Sequence, residues 1–240
     1  MKWIIVTGDS GGLGTAIVKK ILDERQYGVI GISRSLNESV TNMANKNSNY
    51  LHINFDLENV SEIKNLYKNK IKAIGQIAGL VNNSAMAYDD IITNANVDRI
   101  EKMFKINVYS PMLLTKYAIR DMLLHNNKGS IVNISSVSAH TGYKGLSMYA
   151  ATKGAIEAFS KNVAREWGSK GIRSNCVAPG FMETAISSSL TEEQKQKIYQ
   201  RTSLKKATDI DSVASMVVFL LSEKAFSITG SVINVDNGTI

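Results

Sequence analysis

Tyr149 and Lys153 are two side chains whose types and spacing could do acid–base chemistry. Because they are four residues apart, they would sit one turn apart on the same face of a helix. A phenol titrates near pH ~10, but a neighbouring ammonium favours the phenolate and lowers the pKa of the phenol. Such a phenol could exchange a proton with a reacting oxygen. An ordinary helix with a surface tyrosine and lysine is the alternative, so the rest of the chain must decide.

Glycines cluster directly after the first predicted strand and before the first predicted helix. The segment reads Thr-Gly-x-x-x-Gly-x-Gly, with its glycines at Gly8, Gly12 and Gly14. Glycines let the backbone turn tightly and approach a pyrophosphate, and a helix N-terminus offers free N–H groups to the anion. The pattern therefore predicts a phosphate-binding turn.

The end of the second predicted strand bears on the nucleotide that such a turn would hold. There a βαβ unit meets the adenosine ribose, and an acidic side chain would accept the 2′-hydroxyl of NAD. This chain has Ser33 and Arg34 instead. Since a guanidinium suits a 2′-phosphate, the site favours NADP(H), with NAD(H) left open. A solvent-exposed loop arginine is the alternative interpretation of Arg34.

Apolar strands alternate with helical patterns along the whole sequence. Strands are predicted at residues 3–7, 29–33, 50–54, 79–82, 130–135, 173–178 and 231–235. Helices are predicted at residues 15–25, 60–74, 98–125 and 209–221, and the third of these is broken near Pro111. The helix that carries Tyr149 is predicted to end near residue 167, and another helix begins at residue 191. Residues 37–49 are predicted to form a short helix and a loop. This alternation predicts one α/β domain over residues 1–240: a Rossmann-type, doubly wound, seven-stranded parallel sheet with helices on both faces.

Ligands in doubly wound sheets bind at the carboxyl ends of the strands. Glycine, proline and polar residues fall at those ends in this sequence: Gly8, Arg34, Asp56, Asn82, Ser136 and Pro179. Residues without a shared role would scatter over both ends of the sheet. Their convergence is the main argument, from the residues alone, for a single nucleotide and substrate site.

The composition excludes several other classes of protein. The formal net charge is +7, but the lysines are scattered and no basic motif is interleaved with aromatics, so a nucleic-acid partner is not expected and an anionic ligand is. No apolar run approaches the ~18–20 residues of a membrane helix.

Cys176 is the only cysteine, in an apolar run that favours a buried structural thiol. We therefore expect no intramolecular disulfide and no metal site built on cysteine. Met1 leads directly into a core strand, which leaves no room for a signal peptide, and we expect a cytoplasmic protein.

Together these motifs resemble the short-chain dehydrogenase/reductase family over the full length of the chain. The resemblance is carried by Thr7-Gly8-x-x-x-Gly12-x-Gly14, Asp56-Leu57, Asn82-Asn83, Asn107, Ser136, Tyr149-x-x-x-Lys153 and Pro179-Gly180-x-x-x-Thr184. The β-ketoacyl-ACP reductase type is the most similar branch, because of Val177-Ala178-Pro179-Gly180-Phe181 and Ile228-Thr229-Gly230 with Val235-Asp236.

The resemblance implies a role for each of four catalytic residues. Tyr149 would protonate the carbonyl oxygen, Lys153 would lower its pKa and hold the nicotinamide ribose, and Ser136 would hydrogen-bond the substrate oxygen. Asn107 would orient a water in a proton relay. The residues implied to touch the cofactor are Gly8, Ser10, Gly12, Leu13, Gly14, Ser33, Arg34, Asp56, Leu57, Asn83, Tyr149, Lys153, Pro179, Gly180 and Thr184.

The chain departs from the family pattern at three places. Ser84-Ala85 replaces Ala-Gly after the asparagine pair, Gly11 stands where many NADP-binding members have a basic residue, and Asn237 stands where a second glycine is usual. The second departure would leave Arg34 to hold a 2′-phosphate nearly alone. None of the three touches the catalytic residues.

We expect an NADP(H)-dependent oxidoreductase acting on a small or carrier-bound ketone, with residues 185–206 closing over the substrate. A homotetramer is predicted from two features: the last strand, at 231–235, and apolar residues on more than one face of the long helical region around Met103 to Leu124. These residues include Met112, Leu113, Tyr117, Met122 and Leu123. Reduction of a sugar or secondary-metabolite ketone stays open, as does a catalytically idle cofactor-binding sensor. An extended sugar-nucleotide epimerase is disfavoured by the 240-residue length.

Overall fold

A computed structural model describes residues 1–184 and 190–239. In this part of the chain the strands are β1 (Lys2–Thr7), β2 (Tyr27–Ser33), β3 (Tyr50–Asn54), β4 (Ile77–Asn82), β5 (Gly129–Ile134), β6 (Ile172–Pro179) and β7 (Val232–Val235). All seven pair in parallel, in the order β3-β2-β1-β4-β5-β6-β7. The predicted doubly wound Rossmann-type sheet is confirmed.

Helices connect the strands. They are α1 (Gly12–Asp23), α2 (Glu38–Lys46), α3 (Ile63–Leu66), α4 (Val97–Phe104), α5 (Ser110–Leu124), α6 (Ser138–Thr141), α7 (Ser147–Trp167), α8 (Glu192–Tyr199) and α9 (Ile210–Leu221). The predicted start at Thr191 is confirmed, because Thr191 and Gln194 form a reciprocal capping box at the N-terminus of α8. None of the helices described is long and apolar enough to cross a membrane.

Alternation along the central strand builds two cores, one on each face of the sheet. In β1, Ile4 and Val6 point into the core formed with α1 and α9. Ile5 points into the opposite core, formed with α5 and α7. All three side chains are buried, which is why β1 is a continuous apolar run rather than an alternating one.

The order of the strands reverses between β1 and β4. The chain first builds outward from β1 to β3, then returns and builds the other half from β4 to β7. A crevice for a nucleotide forms at the carboxyl ends of the strands on either side of such a reversal. Gly8 and Asn83 follow these two strands directly.

The helix predicted at residues 60–74 is shorter and less regular than expected. A 3₁₀ turn (Val60–Glu62), α3 and a π-turn (Tyr67–Ile71) follow one another, and the helical stretch ends at residue 71. The spacing of apolar residues in 60–74 predicts one apolar face with Ile63, Leu66, Tyr67 and Ile71, and all four are buried.

The break predicted near Pro111 is a widened turn. A π-turn (Lys105–Tyr109) joins α4 directly to α5, and Pro111 lies in the first turn of α5. Proline lacks an N–H and clashes with the carbonyl four residues earlier, so a regular α-helix cannot pass through it without relief. The wider turn provides that relief and keeps the helix continuous.

The segment predicted to close over the substrate, residues 185–206, is described from residue 190 onward, and residues 185–189 lie outside the described part. α8 occupies its middle and packs back towards the end of β6. Tyr199 is buried, its ring lies 6.0 Å from that of Phe181, and its hydroxyl donates to the Glu183 carboxylate. This places α8 at the same edge of the sheet as the glycine-rich turn.

Candidate active site

The glycine-rich turn leads from β1 into α1 with little room for side chains. Gly8 has φ +70°, and a Cβ on Gly14 would lie 2.0 Å from the Gly8 carbonyl oxygen. α1 has no acidic residue in its first turn. No carboxylate in the first turn of α1 therefore opposes an anion at this helix N-terminus, which fits a pyrophosphate.

Ser10 and Leu13 are both expected to touch the cofactor. Both lie on this turn, and contacts with the rest of the protein hold them in place. The Ser10 carbonyl accepts from Asn37 Nδ2 at 2.9 Å, which ties the turn to the start of α2, and the side chain of Leu13 packs into the core. Gly12 opens the helix and has space beside it.

Thr7 and Asn83 join the two strands at the reversal point. Thr7 Oγ1 accepts from the backbone N–H groups of Asn83 and Ser84, at 2.9 and 3.0 Å. Asn83 Nδ2 in turn donates to the Thr7 carbonyl at 2.9 Å and to the Gly8 carbonyl at 3.3 Å. Asn83 therefore lies beside the glycine-rich turn, and Ser84 fits at this departure from the family pattern.

Arg34 lies at the carboxyl end of β2, as predicted, with its guanidinium mostly in solvent. Its Nη1 is 3.8 Å from Asp56 Oδ2, and its side chain is 63% exposed. An exposed ion pair at that distance is weak, so the guanidinium is free to turn towards an anion. The neighbouring Ser33 is buried and donates to the Ser35 carbonyl at 3.3 Å.

Asp56 and Leu57 are held at the carboxyl end of β3. Asp56 Oδ1 accepts from the Glu58 N–H at 2.9 Å. Leu57 is buried, and its carbonyl accepts a hydrogen bond from the Ser110 hydroxyl at the start of α5. These contacts fix the loop against the start of α5, which directly follows the turn that carries Asn107.

Lys153 is buried on α7, one turn after Tyr149. Its Nζ donates to the Ile134 carbonyl at 2.7 Å and lies 5.5 Å from the centre of the Tyr149 ring. Burial lowers the pKa of Lys153 to about 8, while the nearby Cys176 and Glu157 act in the opposite direction. The predicted proximity of the two side chains is confirmed.

The spacing predicts that Lys153 lowers the pKa of Tyr149, but the net pKa of Tyr149 in this structure is raised. Burial, reinforced by the negative charge of Asp89, raises the pKa of Tyr149 to about 12, and a hydrogen bond with Ser136 opposes them only in part. Desolvation is the largest of these effects, since burial disfavours the charged form of the phenol. Tyr149 is therefore a neutral phenol at physiological pH.

Ser136 lies two residues after the end of β5 and contacts Tyr149 on α7. Its hydroxyl hydrogen-bonds with the phenol of Tyr149 and accepts from the Ser138 N–H at 3.1 Å. The serine, the phenol and the buried ammonium of Lys153 thus converge at one point of the carboxyl edge.

Asn107 lies in the π-turn between α4 and α5, and both polar atoms of its side chain make hydrogen bonds. Nδ2 and Oδ1 pair with the carbonyl and the N–H of Met86, both at 2.8 Å, and Nδ2 also donates to Thr152 Oγ1 at 3.1 Å. Because Pro111 has no N–H, the Asn107 carbonyl lacks its usual partner four residues on. The group that could orient a water is therefore the backbone carbonyl of Asn107 rather than its amide.

Pro179 and Gly180 end β6 at the same edge. The Pro179 carbonyl accepts from the Val137 N–H at 3.1 Å, and the Gly180 N–H donates to the Val235 carbonyl at 3.0 Å. A Cβ on Gly180 would lie 2.8 Å from the Cα of Asp236, so only glycine fits here. Thr184, four residues on, is half-buried beside the segment that was expected to cover the site.

Three acidic residues that bear on this site escaped the sequence argument. Asp9 is buried inside the glycine-rich turn, Asp89 raises the pKa of Tyr149, and Glu157 lies behind Lys153. Only Glu157 had a sequence signal, since it follows Lys153 by one helical turn. The other two depend on the course of loops, which periodicity does not predict.

Comparison with known proteins agrees with this geometry. The family model described as Enoyl-(Acyl carrier protein) reductase matches residues 8–239. The 3-oxoacyl-[acyl-carrier-protein] reductase FabG of Buchnera aphidicola subsp. Baizongia pistaciae is 32% identical over 238 residues, 99% of this chain and 96% of its own length.

Solved structures show the same fold with cofactors bound. 4-Hydroxyisoleucine dehydrogenase complexed with NADH has a TM-score of 0.93 at 25% identity, over 100% of this chain and 98% of that one. ElxO with NADP bound has a TM-score of 0.90 at 26% identity, over 99% and 98%. The chain therefore belongs to the short-chain dehydrogenase/reductase family, as an NAD(P)-dependent oxidoreductase that interconverts ketones and secondary alcohols.

Proposed function

We propose that this protein is an NADPH-dependent reductase of 3-oxoacyl thioesters borne on an acyl carrier protein. The observation that carries the proposal is the convergence of three side chains: the Tyr149 phenol is hydrogen-bonded to Ser136, and the buried ammonium of Lys153 lies 5.5 Å from the centre of the Tyr149 ring. A protonated phenol is in the state that reduction of a ketone needs. The curated relatives named as 3-oxoacyl-[acyl-carrier-protein] reductases support this choice of ketone.

Each residue has a defined part in the reduction. When bound, the nicotinamide supplies a hydride to the carbonyl carbon. As the C=O π bond breaks, the carbonyl oxygen takes the proton of the Tyr149 hydroxyl, and Ser136 donates a hydrogen bond to the same oxygen. Lys153 stabilises the phenolate that Tyr149 leaves behind, and a water on the Asn107 carbonyl returns the proton.

The residues around the turn fit a dinucleotide and favour the phosphorylated form. Gly8 and Gly14 let the turn pack tightly against the start of α1, and Gly12 opens that helix, at whose N-terminus the pyrophosphate would lie. The exposed guanidinium of Arg34 is the cation at the end of β2, where a 2′-phosphate would lie. The net charge of +7 also favours anionic cofactors and an acidic carrier.

A small polar ketone, such as that of a sugar or an amino-acid derivative, is the second candidate substrate. Asp89 favours it, because a carboxylate close enough to raise the pKa of Tyr149 could recognise an ammonium or a hydroxyl group. A catalytically idle sensor is a weaker proposal, since a binding module needs no serine–tyrosine pair.

A substrate panel separates these proposals. NADPH oxidation is followed with an acetoacetyl group on an acyl carrier protein, with the same group on coenzyme A, and with small hydroxy- and amino-ketones. We expect the highest kcat/KM for the carrier-bound thioester. A higher value for a small ketone would replace the proposed substrate, and NADPH binding without turnover of any ketone would favour the sensor.

A further inference from the structure

Glu157 is a buried carboxylate, and each of its two oxygens contacts a side chain on a neighbouring element. Its Oε1 accepts from the Ser135 hydroxyl at 2.5 Å, and its Oε2 is 2.7 Å from His140 Nε2. The residue is 8% exposed, although it stands on α7 one turn after Lys153. Burying a carboxylate costs stability unless it is paired, so this position requires an explanation.

The two partners of Glu157 flank the catalytic serine. Ser135 immediately precedes Ser136, and His140 follows it on the short helix α6. Between them, the Ser136 carbonyl accepts from the Ala139 N–H at 3.0 Å and the Ser136 hydroxyl from the Ser138 N–H at 3.1 Å. One carboxylate thus fastens both ends of the segment that carries Ser136 to the helix that carries Tyr149.

The same carboxylate acts on the charge of Lys153. Burial lowers the pKa of Lys153, and the negative charge of Glu157, four residues along the same helical face, raises it. The other titratable groups that face this pair are Tyr149 on α7, Cys176 on β6 and His140 on α6. Removal of the Glu157 charge would therefore let Lys153 lose its proton at a lower pH.

We propose that Glu157 is a positioning residue for the reduction. It holds Ser136 in register with Tyr149 through Ser135 and His140, and it maintains the ammonium of Lys153. The proposal depends on the catalytic roles of Ser136 and Lys153 given under the proposed function. It adds to them a residue that touches neither the substrate nor the cofactor.

Glu157→Gln tests the role of the charge, because the amide keeps the size of the side chain and can still accept from Ser135. We expect kcat to fall by roughly tenfold, with a further loss of about threefold or more between about pH 6.5 and about pH 8.5 relative to wild type. Glu166→Gln removes the same charge from an exposed position on α7 and should behave as wild type.

Glu157→Asp tests the role of position, since it keeps the charge and shortens the reach. We expect a lower kcat with the alkaline limb of the pH profile unmoved. A Glu157→Gln variant with the wild-type kcat and pH profile would overturn the proposal. So would a pH profile that moves equally in Glu157→Asp and Glu157→Gln, because that would indicate a merely structural role.

The titration of Lys153 separates this proposal from the proposed function. Isotope-labelled lysine lets NMR follow the Lys153 ammonium in the folded protein, whether or not any ketone is reduced. We expect a lower pKa for Lys153 in Glu157→Gln than in wild type. An unchanged pKa would refute the electrostatic part, whereas a lower pKa in a protein inactive towards every ketone would refute only the proposed function.

Discussion

Tyr149 carries the proton in the proposed reaction, because its phenol lies at the carbonyl site and stays protonated at neutral pH. Tyr149→Phe removes the hydroxyl and keeps the ring. We expect kcat to fall ~10²–10⁴-fold, the usual contribution of general acid catalysis. Cofactor affinity, measured by quenching of protein fluorescence, should change little. Retention of more than about a tenth of kcat would contradict the assignment.

Lys153 has a stability cost that its function explains. Its pKa is lowered from 10.5 to about 8, so the folded state binds this proton less well than the unfolded state does. The charged lysine is therefore destabilising below pH ~8, and the penalty fades as pH rises towards the unfolded value of ~10.5.

Lys153→Met should abolish turnover and stabilise the fold at neutral pH. The expected gain in the free energy of unfolding is about 1–3 kcal/mol, since removal of a buried charge outweighs loss of the bond to the Ile134 carbonyl. Urea denaturation at pH ~7 and ~10 measures it, and the gain should shrink at the higher pH. A less stable variant at both pH values would contradict the interpretation.

Arg34 is the basis of the expected preference for NADPH. Its guanidinium pairs loosely with Asp56, at 3.8 Å, and can turn to a 2′-phosphate. Arg34→Ala should lower kcat/KM for NADPH by about ten- to a hundredfold and leave that for NADH nearly unchanged, because one charge-assisted contact is lost. Arg25→Ala, at an exposed position after α1, is the matched control. Equal use of both cofactors by wild type would reject the preference.

The sequence predicts the strands and helices correctly where the same faces of an element are buried along its whole length. Continuous apolar runs predict β1 and β2 because parallel strands are buried on both faces. The apolar face of the 60–74 helix is also right, because periodicity reports burial directly. The π-turns are not predictable in this way, since they depend on how a local conflict such as Pro111 is relieved.

Loops account for the parts of the candidate site that sequence reasoning missed. The four predicted catalytic residues and the glycine-rich turn lie on regular elements or close to their ends, where spacing places them. Asp89 and the raised pKa of Tyr149 depend on how a loop folds back over α7, and no local pattern encodes that path. The backbone of Asn237 adopts the left-handed region, with φ +59°. Asparagine tolerates this conformation, so it can stand where the family usually has a glycine.

Packing of β2 and β3 against the glycine-rich turn centres on one buried carboxylate. Asp9 Oδ2 accepts from the Tyr50 hydroxyl at 2.5 Å and lies 2.8 Å from His52 Nδ1. A Cβ on Gly31 would lie 1.8 Å from that oxygen. Gly31 therefore leaves the space on β2 that lets β3 hold the turn.

Gly31→Ala should expel the Asp9 carboxylate from its site. We expect a loss of about 2–4 kcal/mol in the free energy of unfolding, since overpacking is added to broken buried hydrogen bonds. A weaker affinity for NADPH should accompany it, because the turn loses its support. Gly168→Ala, with nothing within 4 Å of its added Cβ, is the control. Thermal and urea unfolding measure both variants, and equal stabilities would contradict the argument.

The surface of the whole molecule bears on the expected homotetramer, and it changes the residues on which that prediction depends. Met122 is buried in the core, and Leu113 and Tyr117 pack partly against it, so they offer little to a partner. Leu123 and Leu124 at the end of α5 are exposed.

Phe226 gives the homotetramer a second apolar surface, far along the chain from α5. It is 79% exposed just after α9, and Phe219 on α9 is 37% exposed. Large apolar side chains at two separate places suit two different symmetric interfaces, and two such interfaces generate a closed tetramer.

Light scattering at micromolar concentration should give four times the 26.3 kDa of one chain. Phe226→Ser should reduce that mass to a dimer, whereas Leu36→Ser, which removes another exposed apolar side chain far from both surfaces in sequence, should not. A wild-type mass of one chain would reject the prediction, and a mass of two would leave only one of the interfaces, with Phe226→Ser showing which.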